Sequence, residues 1–566
     1  MRRGVLYSKQ HLYSSLPKNQ ETVLRHSRRR FLAQSAAISV AAAASWLTHR
    51  QLNRPPPLTI HRIGLPFGHQ LRDGAFAGAQ APRAQDCEVL ILGSGAAALS
   101  ALWFLARLGQ RNVILAEGLE RNGNNAAFVH GDLCAPGGAH YLALPSRESV
   151  ALRAMLADLG ILESGVDSDT PRYREADLVF APAERLRYQG RWQEALLPQE
   201  DDDSRRFFAL IQRLKRARGS DGRKVFAIPI VLSSQDSAWR ALDRLTFAQW
   251  LAREGYRSPS LLWYLDYCCR DDYGAGAAQV SAFAGLHYFA ARGHDSEAVL
   301  TWPDGLAHLS QLLRERSGLQ ALDALPDAVT LHFSQPAAIN ASAVRIRELD
   351  DRVEVLLRDN GSGALTLLRA RQVICAMPLM VAARVVENAA AYGLLAGRGD
   401  YAPWLVSNFV LHRFPAEGAG EALAWDNVIH GSGGLGYVAS SNQLIRVAKP
   451  ARTVFTAYTA LNHTDPAAVR AWLLDAPDAE LLAFAAQDLV AAYGKGFWRA
   501  VDAVVINVRA HAMRIPRPGY LDDAQLAAVR AHRSRLLFAH GDLGGYSVFE
   551  EAVFWGVEAA RRVLAG

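Results

Sequence analysis

The chain has 566 residues, half of them hydrophobic, so it can bury a large core and is long enough for two intertwined domains. Its net charge of +7 is unevenly placed: the first fifty residues hold seven Arg, two Lys and one Glu, a net +8, which leaves everything after them at −1. The pI of 9.2 therefore describes a leader and gives no reason to expect a nucleic-acid partner.

Within that leader, Ser27-Arg28-Arg29-Arg30-Phe31-Leu32 resembles the twin-arginine export signal. An Ala-rich apolar segment, Phe31–Leu47, follows, and Ala42-Ala43-Ala44 offers an A-x-A cleavage site. Residues 1–50 are thus expected to be a signal peptide read by the twin-arginine export machinery, placing the protein in the periplasm or outside the cell. An uncleaved N-terminal membrane anchor is the alternative, although seventeen residues this rich in Ala are marginal as a span. Residues 51–85, with Pro55-Pro56-Pro57 and no clear period, read as a linker.

The most informative stretch comes next. Val89–Leu92 is an apolar run of the kind found in strands buried on both faces. Gly93-Ser94-Gly95-Ala96-Ala97-Ala98 follows, then a helix-period segment to about Leu108, then a second apolar strand, Val113–Ala116, ending in Glu117. This is a βαβ unit carrying the G-x-G-x-x-A form of the dinucleotide fingerprint. Gly93 permits the tight turn, Gly95 lets the backbone approach a pyrophosphate, and Ala98 is small enough for helix–strand packing. The helix start presents free N–H groups to phosphate, and Glu117 is placed to accept hydrogen bonds from a ribose. The acid favours an unphosphorylated ribose, as in NAD or FAD, without separating the two.

Residues 151–320 are mainly helix-patterned, with Val150–Leu159, Ser204–Arg216, Phe247–Glu254 and Leu306–Glu315 the clearest segments. Asp201-Asp202-Asp203 reads as a solvated loop or helix start. Short strands are expected at Val329–Phe333, Ala343–Arg347, Val353–Leu357 and Val373–Ala376, with a turn at Asp359-Asn360-Gly361. Leu405–His412 and Thr453–Ala460 read as strands, and Ala479–Tyr493 as helix. Leu536–Ala539 is a buried strand running into His540-Gly541-Asp542. Gly544-Gly545-Tyr546-Ser547 is a turn, and Phe549–Leu564 is a helix with small residues at Ala552, Gly556, Ala559 and Ala560. Five cysteines (Cys87, Cys134, Cys268, Cys269 and Cys375) show no CxxC and no metal-type spacing, and read as small buried residues; no metal site is expected.

The C-terminal strand, Gly-Asp, Gly turn and small-residue helix resemble the closing motif of the FAD-dependent amine oxidase superfamily. Pro136-Gly137-Gly138-Ala139-His140-Tyr141 resembles the segment that passes beside the flavin ring, and Val373–Pro378 the strand by which the chain leaves the FAD domain. Trp302-Pro303-Asp304-Gly305, Asp266–Ala278 and Gly545-Tyr546-Ser547 look most like the spermidine-dehydrogenase branch. The resemblance implies an α/β fold: a Rossmann-like FAD-binding domain assembled from discontinuous segments (86–150, 321–385 and 501–566), with an α+β substrate domain from 151–320 and 386–500. It implies noncovalent FAD, since no Cys lies in the closing motif. By resemblance, Gly93, Gly95, Ala98, Glu117, Gly138, Ala139, Val344, Gly541, Asp542, Ser547, Val548 and Phe549 contact the cofactor, with Val344 at the adenine and Asp542 at the ribityl chain or pyrophosphate. One departure stands out: after Glu117 the family has a Gly-Gly-Arg turn, and this chain has Gly123-Asn124-Asn125.

The implied activity is oxidation of a C–N bond in an amine or polyamine, with electrons passed on to an acceptor that the sequence does not name. Tyr546 and His140 are the candidate catalytic residues. Trp425, Tyr437, Tyr458 and Trp555 are further aromatic candidates that read first as core, and Asp271-Asp272 reads first as a helix-end or solvated pair, with attraction of a distal ammonium as its functional alternative. A desaturase-like flavoenzyme acting on a C–C bond and a non-catalytic flavin-bearing protein are the other two readings.

Overall fold

The computed structural model describes residues 56–292, 298–397, 399–445 and 447–566. Two eight-stranded sheets organise them. The first grows from the apolar run at Val89–Leu92. Strand Ala84–Leu92 pairs in parallel with Val113–Ala116 on one side and with Leu365–Cys375 on the other. Ala337–Ile339 and Gln320–Leu322 extend it in parallel, and Leu536–Phe538 lies parallel against Val373–Cys375. Val353–Asp359 and Ala341–Glu348 complete it antiparallel. Parallel neighbours need crossovers, and helix Ala96–Arg107 makes the first of them. Burial on both faces explains the unbroken apolar run: Leu90 and Ile91 are fully buried, and so is Ala98 behind them.

The C-terminal helix, Phe549–Ala565, packs on Ala96–Arg107 at very short range. A Cβ at Gly556 would lie 2.2 Å from the Ala97 carbonyl oxygen and 2.3 Å from the Ser100 hydroxyl. Only glycine allows the two helices this approach, and both therefore sit close over the start of the sheet.

The second sheet has the order Leu58–Arg62, Val501–Arg514, Tyr401–Leu411, Thr453–Ala460, Tyr437–Ala439, Asp426–Ile429, Glu184–Tyr188, Arg191–Gln193. Helix Asp478–Tyr493 covers one part of it through Leu481, Leu482, Ala485 and Leu489. Helices Asp202–Leu214, Phe247–Arg253, Pro259–Tyr273 and Ala282–Ala290 share another core with Val406, Val428 and Tyr458. The acidic run at their start has a defined role. Asp201 caps the first helix in a reciprocal capping box with Ser204, while Asp203 accepts the N–H groups of Arg257 and Ser258 at 2.6 and 2.9 Å.

Three expectations change. The 51–85 segment is not a bare linker, because Leu58–Arg62 is an edge strand in register with Val504–Val508 and Phe67–Arg72 is a helix. Val329–Phe333 forms no strand; it contributes a single bridge, Thr330 to Asp86, since only that residue reaches a free sheet edge. The last nucleotide-side segment does not begin at 501: Val501–Arg514 pairs along Tyr401–Leu411 in the second sheet. A strand's alternation shows that it will pair, but its partner is decided by the tertiary packing.

The expected localisation is also corrected. Among the described residues no helix is long and apolar enough to cross a membrane, so none of them supplies the membrane anchor. The Ser27–Leu32 motif and the Phe31–Leu47 segment lie outside the described residues.

Replacing Gly556 with Val should force the two helices apart. Overpacking of this kind costs about 1–3 kcal/mol or more, so the variant should melt earlier than wild type in a thermal scan; an unchanged midpoint would refute the close packing.

Candidate active site

The first turn leaves the start of its helix open and without a side-chain cap. Gly93 has φ +110°, and a Cβ there would meet the Ala376 carbonyl oxygen at 3.0 Å, so the position needs glycine on both counts. Gly95 caps the helix with no side-chain hydrogen bond, and nothing lies within 4 Å of where its Cβ would be. The helix N-terminus is therefore open on that side. Ser94 links this turn to the next loop, its hydroxyl lying 2.8 Å from the Glu117 carbonyl oxygen and accepting from the Asn122 N–H at 3.2 Å.

Glu117 follows its strand as expected, but it is not alone. Arg314, on helix Ala307–Ser317, donates from Nη1 to the Glu117 carboxylate at 2.5 Å and from Nε to Asn122 at 2.9 Å. Its Nη2 is buried with no partner. The Gly118 N–H bonds the Ala341 carbonyl at 3.0 Å, which brings the strand carrying Val344 alongside. Val344 is the odd residue of a bulge: the ladder runs from Ala343–Leu357 to Arg345–Leu356 and skips it. Its backbone is thus out of the ladder, as contact with an adenine edge requires.

Where the family turn has Arg, Asn125 is buried, with Nδ2 3.5 Å from the Ser310 hydroxyl. The cations here come from elsewhere in the chain. Arg509, from strand Val501–Arg514, grips Glu120 with both Nη atoms at 2.6 Å and donates to the Gly137 carbonyl at 3.1 Å. Sequence reasoning missed Arg314 and Arg509, because each lies far along the chain from its partner and no local pattern marks it.

The Gly-rich segment rests on this loop. A Cβ at Gly138 would lie 2.0 Å from the Asn124 carbonyl oxygen, and one at Gly137 2.9 Å from that of Ala127. The Ala139 N–H bonds the Asn124 carbonyl at 2.8 Å, and the Gly138 carbonyl accepts from the Tyr458 hydroxyl at 3.0 Å. These bonds aim the next two side chains into a ring cluster. His140 stacks on Tyr458 with centroids 4.4 Å apart and lies 5.4 Å from Trp425, which Tyr141 meets edge-on at 6.2 Å. Burial pushes the His140 imidazole down to about 3, so it is neutral at physiological pH.

Carboxylates gather behind these rings. The Tyr141 hydroxyl donates to Asp271 at 2.8 Å. Burial raises Asp271 to about 6, with like charge from Asp272 adding to it, and burial lifts Asp426 well above the carboxylate range, with like charge from Asp271 adding to that. Asp272, also raised by burial, faces Arg292 at 3.7 Å, and Arg292 pairs with Glu550 at 3.1 Å. His140, Tyr141, Asp271, Asp272 and Asp426 are each only partly exposed, and burial raises both Asp271 and Asp272. Asp271-Asp272 is therefore no solvated helix end.

The closing motif is arranged differently from what the resemblance implies. Asp542 is fully buried, and its carboxylate accepts from the Leu379 N–H at 3.0 Å, the Tyr401 hydroxyl at 2.5 Å and the Ser547 hydroxyl at 3.2 Å. Burial alone would raise its pKa, but the neighbouring His540, Arg514 and the Tyr401 hydroxyl hold it well below the usual range. Three protein donors therefore already engage the carboxylate expected at the cofactor. Gly541 is buried beside it, 3.5 Å (at its would-be Cβ) from the Val548 carbonyl. Tyr546 is also buried: its hydroxyl is 3.2 Å from His287 Nε2, and its ring neighbours are Tyr273, His287 and Tyr520. It shares no ring contact with His140, so the two candidate catalytic residues fall in separate clusters. Val548 caps the closing helix with no side-chain bond, and Phe549 begins it. Trp555 is buried on that helix, its indole donating to Glu551 at 3.2 Å, and Tyr437 donates to Tyr493 at 2.7 Å. Both belong to packing, whereas Trp425 and Tyr458, also buried, pack their rings against His140.

With this geometry in hand, the chain can be set beside known proteins. No protein-family model matches it, and no curated protein does. Solved structures do match. Wild-type putrescine oxidase bound to putrescine aligns at 14% identity and a TM-score of 0.55, over 86% of this chain and 100% of that one. Cyclohexylamine oxidase from Brevibacterium oxydans IH-35A aligns at 16% identity and 0.56, over 85% and 99%. A CLA-producing fatty acid isomerase from P. acnes aligns at 14% identity and 0.54, over 84% and 98%.

The chain has the fold of these enzymes. At such identities the fold is what is shared, and one fold here carries more than one reaction.

Asp542→Ala should strip the acceptor from a buried N–H and a buried hydroxyl, at about 1–3 kcal/mol for each group left unpaired. A large fall in unfolding free energy in urea, with Asp542→Asn intermediate, is expected. Wild-type stability in the Ala variant would overturn the structural role.

Proposed function

We propose that the protein is an FAD-dependent oxidoreductase of the amine oxidase type, acting on the C–N bond of an amine or polyamine. The observation that carries this reading is the joint presence of neutral rings and desolvated carboxyl groups in one cluster. Rings attract a cation through their faces, and Asp271, which ionises as pH rises through about 6 and bonds no arginine among the described residues, supplies negative charge. An ammonium group is the complement of such a cluster. Putrescine and cyclohexylamine, named for two of the structural neighbours, belong to that class.

The residues present suit FAD at its adenosine and pyrophosphate end. The open helix start at Gly95 would face the pyrophosphate, Glu117 would take a ribose hydroxyl on its free oxygen, and Val344 would meet the adenine with its bulged backbone. Gly138, Ala139, Ser547, Val548 and Phe549 would lie toward the flavin. When bound, the flavin accepts the hydride lost from the carbon beside the amine nitrogen.

The protein's own part is positioning and desolvation. His140, Trp425 and Tyr458 exclude water around the amine, and the neutral His140 adds no positive charge against the substrate. Tyr141 orients Asp271, which holds a second ammonium when the substrate has one. Loss of hydride from the neutral amine leaves an iminium ion, which water hydrolyses to a carbonyl compound and a protonated amine or ammonium. The isomerase neighbour keeps a second reading in view, action on a C–C bond of a lipid. The buried acids argue against it, because a carboxylate facing an acyl chain would be desolvated without compensation.

The reading is tested by mixing the yellow holoprotein anaerobically with diamines, polyamines, monoamines and unsaturated fatty acids. Bleaching by amines alone is expected; bleaching by none of them, or by a fatty acid alone, would overturn it. Gly95→Val should block loading with FAD, read as loss of the bound flavin spectrum.

Asp271→Asn should raise KM for a diamine by roughly ten- to a hundredfold, the worth of one charge-assisted hydrogen bond at about 1.5–3 kcal/mol, and leave a monoamine less affected. Asp271 ionises only as pH rises through about 6. Wild-type KM for the diamine should therefore fall across that window, and the fall should be lost in the Asn variant.

A further inference from the structure

A cleft of about 270 Å³ is lined by Arg223, Arg240 and Arg530, with Ile230, Val231 and Leu521 as its apolar part. Three guanidinium groups share it, and no carboxylate is among the residues lining it. The acids nearest in the chain are engaged. Asp221 accepts from the Ser234 hydroxyl at 2.7 Å and the Gln235 N–H at 2.8 Å. Asp243 accepts from the Leu521 N–H at 2.9 Å, and Asp523 caps helix Ala524–Ala531. Only Asp522 reaches one of the three, bonding Arg240 at 2.6 Å from a side chain that is 72% exposed.

Arg530 is the innermost of the three. Its Nε donates to the Leu543 carbonyl at 2.5 Å, and its two Nη atoms bond no described residue. Burial draws its pKa down from the usual value, which measures how poorly its charge is compensated. The nearest acid behind it, Glu551, offers little. Burial pushes Glu551 up to about 7, and its oxygens already accept from the Ile230 N–H at 2.5 Å and the Trp555 indole at 3.2 Å. Arg223 is exposed and also bonds no described residue through its side chain. A charged fork that is partly desolvated and faces an open cleft is stabilised most by a planar or tetrahedral oxyanion, which it can bind through paired N–H groups.

We propose that this cleft is a binding site for a small multivalent oxyanion, a phosphate or a dicarboxylate, held between Arg530 and Arg223 with Arg240 at the rim. It is separate in its residues from the ring and carboxylate cluster, and its charge is opposite. The apolar wall of Ile230, Val231 and Leu521 accommodates a short hydrocarbon body, which favours an organic anion over a bare ion. Arg530 and Ile230 are bonded to Leu543 and Glu551, so an occupant would brace the C-terminal turn and the first turn of the closing helix together.

The test is calorimetric titration of the full holoprotein with sodium phosphate and, separately, sodium succinate, at an ionic strength held constant with sodium chloride. One saturable site for at least one of them is expected in the wild type, and the arm that binds identifies the source of the oxyanion. Arg223→Gln, at an exposed position bonding no described residue, should fold normally and bind at least tenfold more weakly; Arg223→Glu should abolish binding. No saturable heat with either anion, or equal dissociation constants for wild type and Arg223→Gln, would overturn the proposal. The readout does not involve the flavin, so it stands or falls independently of the proposed activity.

Discussion

One carboxylate, that of Asp542, sits where the discontinuous pieces of this chain meet. It closes the last strand of the first sheet, receives the first N–H of the helix that leaves that sheet at Leu379, and receives the hydroxyl of Tyr401, the first residue of a central strand in the second sheet. Ser547 adds the turn into the closing helix. Three segments of the chain, at Leu379, at Tyr401 and from Asp542 to Ser547, thus share one ion with no access to solvent. Burial of a charge is costly unless its hydrogen bonds are made, and here each is made by a different part of the fold. The arrangement is cooperative for that reason: no single segment can leave without exposing the cost of the ion to the others.

The same logic recurs between the two sheets. Arg509 reaches from the second sheet to Glu120 in the loop after the first βαβ unit, and Arg314 reaches from a helix to Glu117 in the same loop. These pairs are half-buried or better, so they contribute less to net stability than to geometry. Their effect is to fix a loop that lacks the family's Gly-Gly-Arg turn. The arginines at this loop come from other parts of the chain and are paired with Glu117 and Glu120, while the Asn125 side chain lies against Ser310.

Against this background of compensated charge, the ring cluster and the arginine cleft differ. In the first, carboxylates are held behind aromatic rings at raised pKa; in the second, guanidinium groups gather without acids. Both are places where the fold accepts electrostatic cost without an internal partner. Elsewhere the chain pairs its buried ions with care, as Arg153 does with three backbone carbonyls and Arg185 with Glu417 and Asn427. Residual charge in accessible space is a physical signature of a ligand of the opposite sign.

The amino-acid sequence by itself determined the βαβ unit, its phosphate-facing turn and the closing helix. Each of these is encoded locally: an apolar run buried on two faces, a glycine forced to positive φ, small residues at helical spacing. It also determined most helix positions, since a period of 3.6 residues survives whatever the helix packs against. Tertiary structure alone decided which strands pair, so Leu58–Arg62 and Val501–Arg514 entered the second sheet against expectation. It alone decided that Asp542 and Tyr546 turn inward and that His140 faces Trp425 and Tyr458. The direction of a side chain at a turn depends on what the rest of the chain brings beside it. Asp271 shows the limit most clearly: as a pair of adjacent acids it is indistinguishable from a solvated helix end, and only a tyrosine 130 residues away makes it part of a site.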